Sequence, residues 1–377
     1  MIRFIKVQIS APTLAAFACA LACALALLGG LACLGGLACL GGCNDEPTKP
    51  PTNGGDTTHV HHDTTSHDFT WTLYKIGDTY GGMQDIWAIN DDYAIAVGRF
   101  VWLDSTGYEV NDSTTNAVEL INGVQHKFRV SWNGNYLSGI EACFASSEDN
   151  IWFGSGIPYQ KTETGYKQYK PSDIQTPPWG GSCIKMWGRK NTVDVYIASG
   201  NVIQRVKDGK IKTILVPEDP DCVFYAIWGE EEGDVYAIES HKTKIQHRLY
   251  RIRPDNSWTI ARESYSFMYG LWAYNGIWYF TDYGDLMTWD GKNAHLIFSN
   301  PDDLSVITGI GGNHENDVFF LEQYGKVLHW NGSTWQIVYH GELGTIRLPS
   351  ISVTENAVFV SGLAASQQPV ILVGKRN

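Results

Sequence analysis

One short phrase recurs along this chain and constrains its fold before any chemistry is considered. It consists of an apolar residue, a small or aromatic hub, a polar turn, and then a β-branched and aromatic strand. In its clearest copies it reads Ile227-Trp228-Gly229 followed after four turn residues by Asp234-Val235-Tyr236-Ala237, and Ile310-Gly311-Gly312 followed after four by Asp317-Val318-Phe319-Phe320. The apolar position falls at Ile86, Cys143, Met186, Ile227, Leu271, Ile310 and Ile351, so successive copies lie 57, 43, 41, 44, 39 and 41 residues apart. A period near forty filled with short strands is the signature of a β-propeller, in which each repeat is one blade. The reading is all-β: a seven-bladed β-propeller of four-stranded blades, with six or eight blades as the alternatives. The 14 Trp, 19 Tyr and 39 Gly suit many aromatic-rich strands joined by tight turns.

The turns support four strands per blade. Asn122-Gly123, Asp208-Gly209, Asp290-Gly291 and Asn331-Gly332 offer the positive-φ residues that two-residue hairpins require, here between third and fourth strands. The last repeat runs out after its third strand, whereas Phe69-Thr70-Trp71-Thr72-Leu73-Tyr74 has a fourth-strand pattern yet precedes the first inner strand. Pairing the two closes the ring through an N-terminal strand that completes the last blade. It also removes the free edges that invite aggregation.

Residues 1–43 contain no acid, carry Arg3 and Lys6, and then run apolar and small, which reads as an export signal. They end in Leu40-Gly41-Gly42-Cys43, which resembles a bacterial lipobox, making Cys43 the expected site of lipidation and the mature N-terminus. An uncleaved transmembrane anchor is the alternative. Residues 44–68, rich in Pro, Thr and Gly, cannot form a core and read as a flexible linker to a propeller over 69–377. The linker holds His59, His61, His62 and His67, which the sequence gives no enclosing shell, so no metal or cofactor is expected. Loss of the signal removes two basic side chains and no acidic ones, taking the formal net charge from −12 to −14. Nucleic acid is therefore not an expected partner. Outside the signal only Cys143, Cys183 and Cys222 remain. Cys183 and Cys222 enter inner strands of adjacent repeats, which leaves a disulfide between them open.

Over 69–377 the chain resembles lipid-anchored bacterial repeat propellers, with units of the type Ile-Trp-Gly, Asp-Val-Tyr-Ala, Trp-Asp-Gly and Trp. Here they stand at Ile227 to Ala237, Trp289 to Gly291 and Trp330 to Trp335. The resemblance implies a monomeric propeller tethered in the cell envelope, at the outer membrane or cell surface. It does not imply an activity, because propellers host binding, scaffolding and several enzyme classes.

Loop length suggests where a ligand binds. Turns between first and second strands are short, whereas Arg99 to Asn116, Glu239 to Gln246 and Lys170 to Gly181 read as long insertions on the opposite face. That face is expected to present Trp102, Tyr108, Trp132, Tyr136, Trp179 and His241 to a protein or glycan ligand. Trp87, Trp187, Trp228 and Trp272 share one repeat position and read as structural. Asp85, Glu141 and Lys185 lie near the starts of inner strands. A propeller-fold glycoside hydrolase or polysaccharide lyase using channel carboxylates is the alternative to a non-catalytic binding module. No nucleophile elbow, phosphate loop or His-Glu-x-x-His segment is present.

Overall fold

The structure, a computed structural model, describes residues 64–107, 115–137, 139–170, 183–190, 192–282, 284–299, 307–322, 325–341, 350–364 and 366–377. Cys43, Tyr108, Trp179 and the linker histidines other than His67 lie outside them. Among the described residues the regular elements are strands, and no helix is long and apolar enough to cross a membrane. Seven four-stranded antiparallel sheets form the blades, joined by one small hairpin, Ser131–Trp132 with Asn135–Tyr136.

Six blades occupy 82–128, 142–168, 183–215, 222–264, 271–298 and 307–340, each built in sequence order from its inner strand outward. The seventh takes Ile351–Val353, Ala357–Leu363 and Pro369–Arg376 from the C-terminus and Phe69–Lys75 from the N-terminal side. Phe69 pairs with Arg376 and Lys75 with Val370, antiparallel over the whole strand. Inner strand packs against inner strand around the ring, and Gly82–Asn90 meets Ile351–Val353 to close it.

Because strand side chains alternate between faces, each sheet is apolar on both sides and shares a core with each neighbour. Each gap between adjacent blades accordingly holds its own hydrophobic cluster. The gap between second and third blades, for example, buries Phe144, Trp152 and Tyr169 against Met186, Val195 and Ile197. The seven apolar repeat positions, Ile86 to Ile351, are all buried in these gaps.

Two local expectations need correction. Asn122-Gly123 and Asp208-Gly209 do form turns with positive φ at both residues. In Asp290-Gly291 and Asn331-Gly332 only the glycine has positive φ, and these segments are four-residue loops. There the side chain decides: Asp290 Oδ1 accepts from the N–H groups of Lys292 and Asn293, and Asn331 Oδ1 from those of Ser333 and Thr334. The open disulfide does not form either, since Cys143, Cys183 and Cys222 are all free and buried. Cys183 lies against Gly154 and Ala142 of the second blade and so belongs to the gap away from Cys222. Burial pushes its thiol up to about 12.

The last residues before the closing strand are docked on the sixth blade. Thr65 Oγ1 donates to the Asn316 carbonyl, and Arg376 donates to the Ser66 carbonyl. His67 Nδ1 lies 2.9 Å from His329 Nδ1, His329 Nε2 lies 2.9 Å from Asp317 Oδ1, and His67 Nε2 lies 3.1 Å from Thr334 Oγ1. One proton assignment satisfies all three with both rings neutral: His329 donates to Asp317, His67 donates to His329, and Thr334 donates to His67. Burial, together with the neighbouring His329 and Arg376, lowers His67 from its ordinary 6.5 to about 4. Burial also lowers His329, against the opposing pull of Asp317. A depressed histidine contributes stability that is present above its free value and lost as pH falls. The clasp is thus expected to hold at pH 7 and loosen between about pH 6.5 and 4, seen as faster proteolysis near Thr65, with the pH dependence reduced in His67→Gln and abolished only when His329 is replaced as well. Cleavage rates independent of pH across that window rule this out.

Candidate functional site

The aromatic repeat position divides into two classes, and the residue that decides lies one repeat downstream. Phe144 of the second blade lies against Gly188 of the third, Trp187 of the third against Gly229 of the fourth, and Trp272 of the fifth against Gly312 of the sixth. These rings are buried because the partner is glycine. A Cβ on Gly229 would stand 2.5 Å from the Trp187 ring, and one on Gly312 would stand 2.7 Å from Trp272. Trp87 and Trp228 instead face repeats that carry Ala145 and Ala273 at the glycine position. A methyl group fills the slot, and both indoles are only half-buried. They turn into the central channel and stack on each other from the first and fourth blades, centroids 5.7 Å apart and planes inclined by 30°.

This pair divides the channel. On one side a funnel of about 930 Å³ opens, floored by Trp87 and Trp228 and walled by the ends of the inner strands. Its rim is made of the turns between first and second strands, including Asp91, Lys190, Glu230 to Gly233, Asn275-Gly276 and Glu355. On the other side only about 90 Å³ remains, lined by Asp85, Lys185, Tyr225, Tyr269 and Ser350. Trp87, Trp228 and Ile351 border both spaces.

The rim is stiffened by its own hydrogen bonds. Arg189 donates to the carbonyls of Glu230 at 2.8 Å and Gly233 at 2.9 Å, as well as to that of Glu231, and its Nε lies 3.3 Å from Asp194. Glu230 Oε1 accepts from the Gly276 N–H at 2.6 Å, which joins the fourth blade's turn to the fifth's. Asn275 and Gly276 both have positive φ, so that turn is a tight one.

Polar residues fill the narrow end. Asp85 is 3% exposed and accepts from Lys185 Nζ at 2.5 Å, Ser350 Oγ at 2.6 Å, and the N–H groups of Ile86 and Cys143 at 3.0 and 3.2 Å. Lys185 also donates to Ser350 Oγ at 2.9 Å. One carboxylate thereby joins the first, second, third and seventh blades across the seam of the ring. Glu141 is no part of this network, and its N–H donates to the Gly154 carbonyl. The partner of Asp85 is therefore a lysine, and among the described residues the narrow end of the channel is lined by no second carboxylate.

The aromatics expected on the long-loop face are placed as follows. Trp102 packs onto the core between seventh and first blades, donates from Nε1 to Thr115 at 3.1 Å, and has Lys127 Nζ 3.1 Å above its ring. Trp132 lies in the small hairpin against Tyr159, and Tyr136, 36% exposed, has Arg129 5.8 Å from its ring centroid. The segment Glu239 to Gln246 is shorter as a loop than expected, because Val235–His241 is strand. His241 ends that strand and is buried. Its Nδ1 accepts from the N–H groups of Thr243 and Lys244, both at 3.1 Å, which leaves the proton on Nε2, 3.1 Å from Asp219 Oδ2. With Asp221 these residues form a set whose ligating atoms lie within 4.8 Å of one another. In this tautomer both ring nitrogens of His241 are engaged, and the set closes a loop.

Sequence reasoning missed the funnel because it used loop length, whereas depth comes from small residues at the inner-strand ends. The alanines at Ala145 and Ala273, out of step with the glycines at Gly188, Gly229 and Gly312, were the signal available in the sequence.

No protein-family model and no curated protein sequence matches this chain. Among solved structures it is similar to YCF48 bound to D1 peptide (TM-score 0.57, 14% identity, covering 83% of this chain and 99% of that one). It is likewise similar to YCF48 from Cyanidioschyzon merolae (0.55, 12%, 81% and 98%) and to the Neurospora crassa Pan2 WD40 domain (0.56, 13%, 83% and 98%). At these identities the likeness is one of fold, and the chain is a seven-bladed β-propeller.

Proposed function

We propose that this protein is a lipid-anchored cell-envelope lipoprotein, held through Cys43, that acts as a non-catalytic binding module and receives its ligand in the funnel. The carrying observation is the stacked Trp87–Trp228 pair, two large half-buried indoles at the floor of the funnel. Ligand sites are concave and set aromatic surface beside converging polar groups, and the funnel has both. Asp85, a buried carboxylate of the channel, is held by Lys185 and Ser350 on the far side of the indole pair. This arrangement does not suit general acid–base work. A protein ligand draws support from YCF48, a propeller with a bound peptide.

The test pairs binding with turnover. A polysaccharide panel and an envelope protein fraction are offered to the native chain, to Trp87→Ala/Trp228→Ala, to Trp102→Ala and to Tyr136→Ala. Loss of two indole contacts is expected to weaken capture on the order of tenfold or more, with no product formed and little change in Trp102→Ala. A long-loop site around Tyr136 is the second reading, favoured by that ring's exposure; reduced capture in Tyr136→Ala with the funnel variant unaffected supports it instead. Product that disappears in Asp85→Asn restores the enzyme reading. Fatty-acid labelling that persists in Cys43→Ser rules out the anchor.

A further inference from the structure

The charge around the funnel narrows the class of ligand. Of the ionisable residues lining it, Asp91, Glu230, Glu231, Glu232 and Glu355 are acidic and Lys190 is basic. Hydrogen bonds orient several of these acids without neutralising them. Asp91 accepts from Thr354 Oγ1 at 2.5 Å and from Asn356 N and Nδ2 at 3.0 and 2.9 Å; Glu230 accepts from the Gly276 N–H; Glu231 Oε2 accepts from the Lys190 N–H at 2.8 Å. The donors are hydroxyl, amide and backbone groups. The nearby cations are fewer than the acids and are held by other groups as well: Arg189 by backbone carbonyls and Asp194, and Lys375, which also acts on the Asp91 carboxylate, by the Asp91 carbonyl and Asp92. The funnel therefore combines an excess of negative charge at its rim with two stacked, half-buried indoles at its floor.

These two features select the same kind of ligand. A carboxylate rim raises the local concentration of cations, and an indole face attracts a cation through its quadrupole, the more strongly as water is excluded. We infer that the funnel takes the basic side chain of a protein segment, with an arginine guanidinium set against the Trp87–Trp228 pair and its neighbours paired to the rim glutamates. Guanidinium is planar and weakly hydrated, so it stacks on an indole at less desolvation cost than a lysine ammonium. At about 930 Å³ the funnel exceeds one side chain, which fits a short peptide entering from the rim. An acidic or phosphorylated ligand is repelled by the same rim. This inference rests on the funnel being the binding site proposed above.

The experiment separates the two claims. The full chain, purified in a non-ionic detergent, is titrated with a capped Gly-Arg-Gly-Arg-Gly peptide, its Glu counterpart, and a neutral oligosaccharide, followed by indole fluorescence and calorimetry. The arginine peptide is expected to bind and quench, and the other two to do neither. Its affinity should fall on the order of tenfold between about 0.05 M and about 0.5 M salt as the rim is screened. It should fall by a similar factor in Glu231→Gln/Glu232→Gln, whose exposed side chains leave the fold intact. Binding of the oligosaccharide alone, lost in Trp87→Ala/Trp228→Ala and insensitive to salt, keeps the funnel as a site and overturns the cationic class. Arginine-peptide binding unaffected by both double variants overturns the funnel and this inference together. No binding of the arginine peptide overturns the inference.

Discussion

Deletion of residues 69–76 is expected to abolish the native propeller, not merely to trim one blade. Phe69, Trp71 and Leu73 cover the cluster between sixth and seventh blades, Tyr74 packs toward the first blade, and Ile76 is completely buried there. At about 1.5–3 kcal/mol for each fully buried large side chain, and roughly half that for the half-buried ones, the segment contributes on the order of 5 kcal/mol. That is comparable with the whole net stability of an ordinary domain. Deletion also leaves Pro369–Arg376 as a free edge. Thermal unfolding by circular dichroism is the check, with aggregation or loss of the cooperative transition the expected outcome. An unchanged Tm in the truncated chain would falsify closure through this strand.

Replacement of Asp85 is expected to give the next largest effect. In Asp85→Ala, Lys185 loses its counter-ion, while Ser350 and the Ile86 and Cys143 N–H groups lose their acceptor. Breaking a buried pair by removing one partner costs about 3–5 kcal/mol. The low end applies here, since the Lys185 side chain is 31% exposed and water can reach it. Asp85→Asn keeps the shape and should cost less, and adding Lys185→Met to it should recover part of the loss. Urea midpoints for the four chains measure this, and a change of under about 0.5 kcal/mol in Asp85→Ala would show that water takes over the role of the carboxylate. From the sequence, Asp85 reads only as a polar residue near the start of an inner strand. The structure gives it a large role in stability, because its partners come from four blades.

The ring itself was legible in the sequence because each blade is a local object. A four-stranded meander needs only alternating apolar residues, a turn every few positions, and a repeated buried hub, all of which occur within forty residues of chain. Even closure by Phe69–Lys75 was readable, as a fourth-strand pattern stood at one end and a gap at the other. Turn type at Asp290 and Asn331 was less so, because a side-chain acceptor there competes with the two-residue hairpin that the dipeptides suggest.

What only the tertiary structure decided are the contacts between residues of different blades. Whether an indole at the repeated position is buried depends on the residue that the next blade places against it, so Trp187 and Trp272 enter a glycine slot while Trp87 and Trp228 meet alanine and turn into the channel. The long insertions that drew attention in the sequence carry Trp102, which is partly buried on the core, and His241, which ends a strand. The sequence by itself determined the repeat, the number of blades and how the ring closes, since short-range periodicity and turn chemistry encode them. The funnel, the stacked pair at its floor and the Asp85 network came from packing alone, because their residues stand about 40 to 270 positions apart and meet only when seven blades close around one axis.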